Sequence, residues 1–103
     1  MLGIDGIMRQ AKEMQTKMAA LQEELGKRIV TASSGGGMVT VVCTGKQEIR
    51  SVSIDKTLME GGDASMLEDL VLTAVNEALN RSRDLMAEEM RAMTGGLNIP
   101  GLF

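Results

Sequence analysis

At 103 residues, 44% hydrophobic and 24% charged, the chain has the size and composition of one small folded domain, not of a disordered tail. It has no His and a single Cys, Cys43. Those counts exclude imidazole acid–base catalysis, His-ligated metals, Cys-cluster zinc and an intramolecular disulfide. The net charge of −3 is unevenly spread: five cations meet four acids in residues 1–28, and only three meet seven in residues 63–103. An acidic total argues against strong nucleic-acid binding by the whole surface. Local basic faces still reach phosphate, because salt screens distant acids beyond about 8 Å.

One Phe and no Trp or Tyr leave no base-stacking platform for single strands, and ten Met make a soft, aliphatic core. The single Cys fits a reducing cytoplasm; no apolar run approaches transmembrane length and no signal peptide is visible.

The first segment predicts a helix over residues 5–26. Ile4, Ile7, Ala11, Met14, Met18, Leu21 and Leu25 recur at alternating spacings of three and four. That is a narrow coiled-coil-like seam. Asp5 is the expected N-cap and Gly26 the expected stop. Such a helix is ~33 Å long at 1.5 Å per residue, whereas a domain of this size has a gyration radius of ~13 Å. The helix should outrun its own core, and its seam needs a partner.

Residues 28–54 read as a three-stranded meander: Arg28 to Ser33, Met38 to Thr44, and Ile49 to Ile54. Ser34-Gly35-Gly36-Gly37 and Gly45-Lys46-Gln47 join them, and links this short connect antiparallel neighbours. Both faces of the second strand carry apolar residues, so cover is expected on both. In the third, Val52 and Ile54 agree in parity but Ile49 does not, which places Ile49 beyond a bulge.

Residues 63–94 turn helical. Ser65-Met66-Leu67-Glu68 reads as a capping box, with Asp63 as the alternative cap. Leu67, Leu70, Val71, Ala74, Val75 and Ala78 form a face broad enough to pack on a sheet. The stripe breaks at Asn80 to Asp84 and resumes at Leu85, Met86, Met90 and Met93. This is either one long helix that changes partners or two helices meeting at a kink. Gly95-Gly96 ends it, and residues 95–103, with Pro100, form a short flexible tail. The fold class is α+β: a long N-terminal helix, a three-stranded antiparallel sheet and a long C-terminal helix, assembled as a two-fold dimer.

No constellation fits catalysis, so the chain reads as a non-enzyme with no cofactor, no metal and no small-molecule substrate. The triple glycine lacks the Lys and Ser/Thr of a phosphate loop and leads into a strand. Cys43 has no His or flanking cation to activate it as a nucleophile and reads as a buried strand residue. Glu23-Glu24, Glu68-Asp69 and Glu88-Glu89 lie on solvated helix faces. The helical Met residues suit an adaptable subunit interface: Met14 and Met18, with Ile7, on the first helix, and Met86 and Met90 on the last. Most helical cations have an acid one turn away, but Lys12 and Arg83 have none three or four residues off. They are therefore the first candidates for phosphate contact.

Residues 8–15 (MRQAKEMQ), Met18 and residues 21–25 (LQEEL) resemble the first helix of the YbaB/EbfC nucleoid-associated proteins. Residues 34–41 (SGGGMVTV), Val52 to Asp55, Met66 to Leu70 with Ala74 to Asn76, and Thr94 to Leu97 with Pro100 are similar to later parts of that family. The resemblance spans nearly the whole chain, as a single YbaB-like domain over 1–103. It implies a bacterial cytoplasmic, nucleoid-associated homodimer whose helices project like tweezer arms and bind double-stranded DNA, with no membrane partner. Carried onto this chain, it points to Arg9, Lys12 and Lys17 on the first helix and Arg81, Arg83 and Arg91 on the last. Low sequence specificity and a role in chromosome organisation or gene regulation are then expected. A protein-interaction adaptor gripping its partner with the Met-lined helices is the alternative.

Overall fold

The computed structural model describes residues 2–94. Helix α1 (Leu2–Lys27) leads into strands β1 (Ile29–Ser34), β2 (Val39–Thr44) and β3 (Ile49–Ile54), then a short helix α2 (Lys56–Glu60) and a long helix α3 (Ala64–Thr94). The strands form one antiparallel sheet in the order β1-β2-β3. The first helix begins ahead of Asp5, which lies within its first turn instead of capping it. The apolar spacing that starts at Ile4 carries the helix further back than the nearest cap-type residue suggested. The second helix of the sequence reading is one continuous α3 without a break, and its first turn is capped by Asp63, whose Oδ1 accepts from the Met66 amide at 3.0 Å. Ser65 lies inside the helix.

Parity organises the sheet. Val39, Val41 and Cys43 of β2 are fully buried, and their β1 partners Val30 and Ala32 share that face. The opposite face carries Thr31, Ser33, Thr40, Val42, Ser51 and Ser53, with Thr40 and Val42 half-buried and the other four exposed. Between Val42 and Cys43 the register to β3 shifts, so Arg50 is the extra residue and Ile49 returns to the face of Val52.

Helix α3 lies across β1 and β2. Ala74, Ala78 and Ser82 recur every fourth residue and are all fully buried. Small side chains along that row let the helix backbone approach the sheet closely. Leu58 of α2 closes the same core at one end. Asp55 caps α2: its carboxylate accepts from the Thr57 amide at 2.9 Å and the Thr57 hydroxyl at 2.8 Å.

The joint between α1 and the sheet is tight. The Gly45 amide donates to the carbonyls of Leu25, at 2.9 Å, and Arg28, at 3.0 Å. A Cβ at Gly45 would stand 2.7 Å from the Leu25 carbonyl oxygen, so only glycine fits. Leu25 is buried beside this turn, and Arg28 Nη1 bonds Glu89 Oε1 at 2.6 Å. These contacts aim α1 away from the sheet. The molecule measures 72 × 25 × 16 Å with a gyration radius of 19.8 Å. A packed domain of this length has a radius of ~13 Å. The arm accounts for the difference.

Candidate nucleic-acid interface

On α1, Arg9, Lys12 and Lys17 are exposed, and none forms an ion pair among the described residues. At 100° per residue Arg9 and Lys12 fall on the side of the helix opposite the apolar seam, and Lys17 flanks the seam beside Leu21. Asp5 and Glu13 share that side, one turn away, without closing a bridge to them. The seam fixes which way the cations point: Met14, Met18 and Leu21 are half-buried and Leu25 is buried, so the opposite side faces solvent.

The three arginines of α3 differ. Arg83 and Arg91 lie away from the row of Ala74, Ala78 and Ser82. Arg83 Nη1 donates to Asn80 Oδ1 at 2.8 Å and Arg91 Nε to the Ala87 carbonyl at 3.4 Å; both partners are neutral, so both charges stay available. Arg81 is occupied. Its Nε bonds Glu77 Oε1 at 3.2 Å and its Nη1 reaches across to the Thr31 carbonyl on the outer edge of β1. Lys27 is paired with Glu23 at 3.9 Å and Arg28 with Glu89, so neither end of the joint offers a free cation. The six cations expected to contact phosphate therefore separate into three on the arm, two on the outer side of α3, and one at a strand edge.

Of the residues expected at a subunit interface, Ile7 is 66% exposed, Met14, Met18 and Met86 are half-buried within the chain, and Met90 lies at the margin of exposure. A larger apolar surface lies elsewhere. Helix α3 does not extend over β3, and Ile49, Val52 and Ile54 are each about two-fifths exposed although they share the core face. Between β3 and α3 runs an open groove of about 470 Å³ lined by Ile54, Leu67, Glu68, Val71, Leu72 and Val75. Leu72 stands out from it at 60% exposure. The sequence does carry a trace of this groove: Leu72 and Leu79 widen the stripe of α3 beyond what one covered sheet face requires.

Among the described residues no group of His, Cys, Asp or Glu is placed to hold a metal, and no helix is long and apolar enough to cross a membrane. Cys43 is buried and donates weakly to the Thr44 carbonyl at 3.2 Å, the place of a packing residue.

An antiparallel sheet backed by one helix, with a second helix projecting and carrying unbridged cations, defines a small α+β protein with a projecting helical arm. The chain belongs to the YbaB/EbfC DNA-binding family, whose model matches residues 1–97. It is 48% identical over 101 residues to a nucleoid-associated protein of Desulfotalea psychrophila, covering 98% of this chain and 95% of that one. It is 53% identical over 97 residues to a nucleoid-associated protein of Desulforamulus reducens, covering 94% and 92%. A third, of Syntrophobacter fumaroxidans, is 50% identical over 95 residues, covering 92% and 86%. The crystal structure of an uncharacterized Helicobacter pylori protein superposes with a TM-score of 0.77 at 25% identity, covering 84% of this chain and 91% of that one.

Proposed function

We propose that the protein is a homodimeric, nucleoid-associated architectural protein of the bacterial cytoplasm. It binds double-stranded DNA with low sequence specificity through Lys and Arg on its helices, in chromosome organisation or gene regulation. The observation that carries this reading is the set of exposed, unbridged cations Arg9, Lys12 and Lys17 on α1, a helix that leaves the body of the protein. Phosphate contacts of this kind position a protein on the duplex and read little sequence. Arg9, Lys12, Lys17, Arg83 and Arg91 are the contacts; the bonds of Arg81 to Glu77 and Thr31 place it at the sheet edge instead.

The second copy belongs on the β3–α3 groove. Only eight hydrophobic residues are buried among those described, and three of them are alanine or cysteine on α3 and β2. A core this small supports a lone domain poorly. Exposed apolar patches of this extent mark association sites. The patch offers both a groove and a projecting Leu72, so it is suited to meet its own copy about a two-fold axis. The half-buried Met14, Met18 and Met86 pack within the chain and serve the arm.

Fluorescence anisotropy with two unrelated duplexes tests the reading. If a dimer neutralises ~4–6 phosphates, affinity falls by roughly two to three orders of magnitude between 50 and 200 mM salt. The two duplexes bind within a few-fold of each other. The double variant Lys12→Glu, Arg83→Glu weakens binding while the circular dichroism spectrum and the dimer mass stay unchanged. Unaltered affinity in that variant removes the site assignment, and no binding of the wild type at low salt overturns the function.

A further inference from the structure

The two flanks of α1 differ in charge. At 100° per residue, Met8, Lys12, Gln15, Ala19 and Gln22 stand within about 40° of Gly26, on one flank of the apolar seam. No acid falls in that sector. Asp5 and Glu23 come nearest, about 60° from Gly26, and Glu23 is turned to Lys27. On the other flank Lys17 shares its sector with Glu13 and Glu24. Lys12 is therefore the cation of a track along α1 that carries no carboxylate.

The track continues past the end of the helix. Gly26 lies in the last turn of α1, and a Cβ there would stand 3.2 Å from Cδ and 4.0 Å from Cγ of Lys46. The stem of Lys46, which belongs to the turn between β2 and β3, thus lies on the same flank. That turn is fixed from two sides. The Gly45 amide bonds the Leu25 carbonyl of α1 at 2.9 Å. The Gln47 amide donates to the Thr44 carbonyl at 3.1 Å and to Ser82 Oγ of α3 at 3.0 Å, and the buried Ser82 hydroxyl donates to the Thr44 carbonyl at 2.8 Å. These bonds hold Gln47 at φ 64°, a left-handed backbone uncommon outside glycine. Beside the turn, Lys27 and Arg28 are bridged to Glu23 and Glu89. Lys46 is exposed and forms no ion pair among the described residues, not even with Glu48 two positions on.

We propose that Lys46 is a phosphate contact, and that with Lys12 it marks the two ends of a track on which one duplex lies along α1. This deepens the DNA-binding reading above and rests on it. Fourteen residues separate Lys12 from Gly26, ~21 Å at 1.5 Å per residue. That is less than one ~34 Å turn of duplex, so a single stretch of DNA reaches both ends. A strand carrying one charge every ~3.4 Å favours this path over the flank where Glu13 and Glu24 accompany Lys17. The stem of Lys46 is already laid down on Gly26 and its turn is fixed, so little freedom is lost on binding. The duplex then lies at the root of the arm, against the body of the protein, as well as farther out along it.

Amine acylation of the full-length wild type, with and without a saturating duplex at low salt, tests this by mass analysis. Bound DNA is expected to slow modification of Lys12 and Lys46 at least fivefold, and to leave Lys56, beyond the far end of β3, unchanged. Substitution gives a second readout. Lys46→Gln keeps Cγ and Cδ beside Gly26 and removes the charge. It should reduce the slope of log affinity against log salt by about one for each Lys46 that touches the duplex. Lys46→Arg should keep the wild-type slope, and so should Lys56→Gln. Undiminished labelling of Lys46 in the complex overturns the proposal and leaves the DNA-binding reading standing, as do equal slopes for Lys46→Gln and Lys56→Gln. A loss in Lys46→Arg as large as in Lys46→Gln assigns the side chain to holding the turn and overturns it too. A wild type that binds no duplex at low salt overturns both readings.

Discussion

The two outer strands each run six residues beside the same central strand, and they end in different environments. β1 lies under α3: Ala32 is buried, Ser34 Oγ donates to the Leu70 carbonyl at 2.6 Å, and Arg81 reaches the outer carbonyl of Thr31. An arginine on a strand edge discourages further pairing there. β3 has neither helix nor guard. Every one of its residues is exposed, and its apolar side chains open onto the groove beside α3. The same alternation of apolar and polar residues thus makes a finished edge on one side and an unfinished one on the other. The difference arises in α3, whose width covers two strands and not three.

The largest effect should come from charging the unfinished side. Ile54→Glu with Leu72→Glu places two carboxylates in the groove, and the dimer dissociation constant should rise at least about a hundredfold, or about 2.7 kcal/mol. Light scattering across a dilution series measures it. A dimer that persists unchanged would move the second copy to another surface, while leaving the DNA reading to be judged by anisotropy.

A matched pair sharpens the comparison. Val41 and Val52 are direct neighbours across β2 and β3 on one face, 0% and 43% exposed. In the monomeric double-Glu background, Val41→Ala should cost about 2–3 kcal/mol, from roughly 0.8 per buried methyl-sized group plus the cavity left behind. Val52→Ala should cost under about 0.5 kcal/mol in that background. Urea unfolding reads both. Equal costs would mean that β3 is covered within the monomer after all.

On the finished side, Arg81→Ala removes a half-exposed guanidinium bond to the Thr31 carbonyl. Stability should fall by about 0.5–1 kcal/mol, and the bared β1 edge should raise aggregation at high concentration. DNA affinity should change less than for Lys12→Glu. A loss as large as that of Lys12→Glu would return Arg81 to the phosphate contacts.

These contrasts also show which parts were readable from the amino acids. The reach of α1 was, because seven apolar residues at spacings of three and four outlast any core that 103 residues can build. The bulge was too, since Ile49 breaks the parity of Val52 and Ile54. Helix α2 was not: Lys56 to Glu60 is too short for a period to show. The bareness of β3 was hidden because alternation tells which side chains share a face and not how far a helix extends over it. The role of Arg81 was half visible. Its i,i+4 partner Glu77 stands in the sequence, but Thr31 lies 50 residues away. Among the candidate cations, the sequence separated Lys12 and Arg83 by their lack of acidic neighbours. It overstated the pairing of Arg9 and Lys17, whose nearby acids form no bridge.

The smallest effect concerns how β3 is held at its far end without help from α3. The Asp55 amide donates to the Met38 carbonyl at 2.8 Å, and its carboxylate caps α2, which carries Leu58 into the core. The bonds from the Thr57 amide and then the Thr57 hydroxyl hold the Asp55 carboxyl below its ordinary value of 3.8. A lowered carboxylate pKa contributes stability that is complete above the unfolded value and is lost as pH falls through the folded one. No change is therefore expected at this cap from neutral pH down to about 4. Below 3.8, amide exchange at Thr57 and Leu58 should accelerate, by more than the intrinsic pH dependence of exchange. Asp55→Asn keeps an acceptor for the same amide and should remove that acid-specific acceleration. If the Asn variant loosens at the same pH as the wild type, the weak point of the β3 end lies in the sheet and not in its cap.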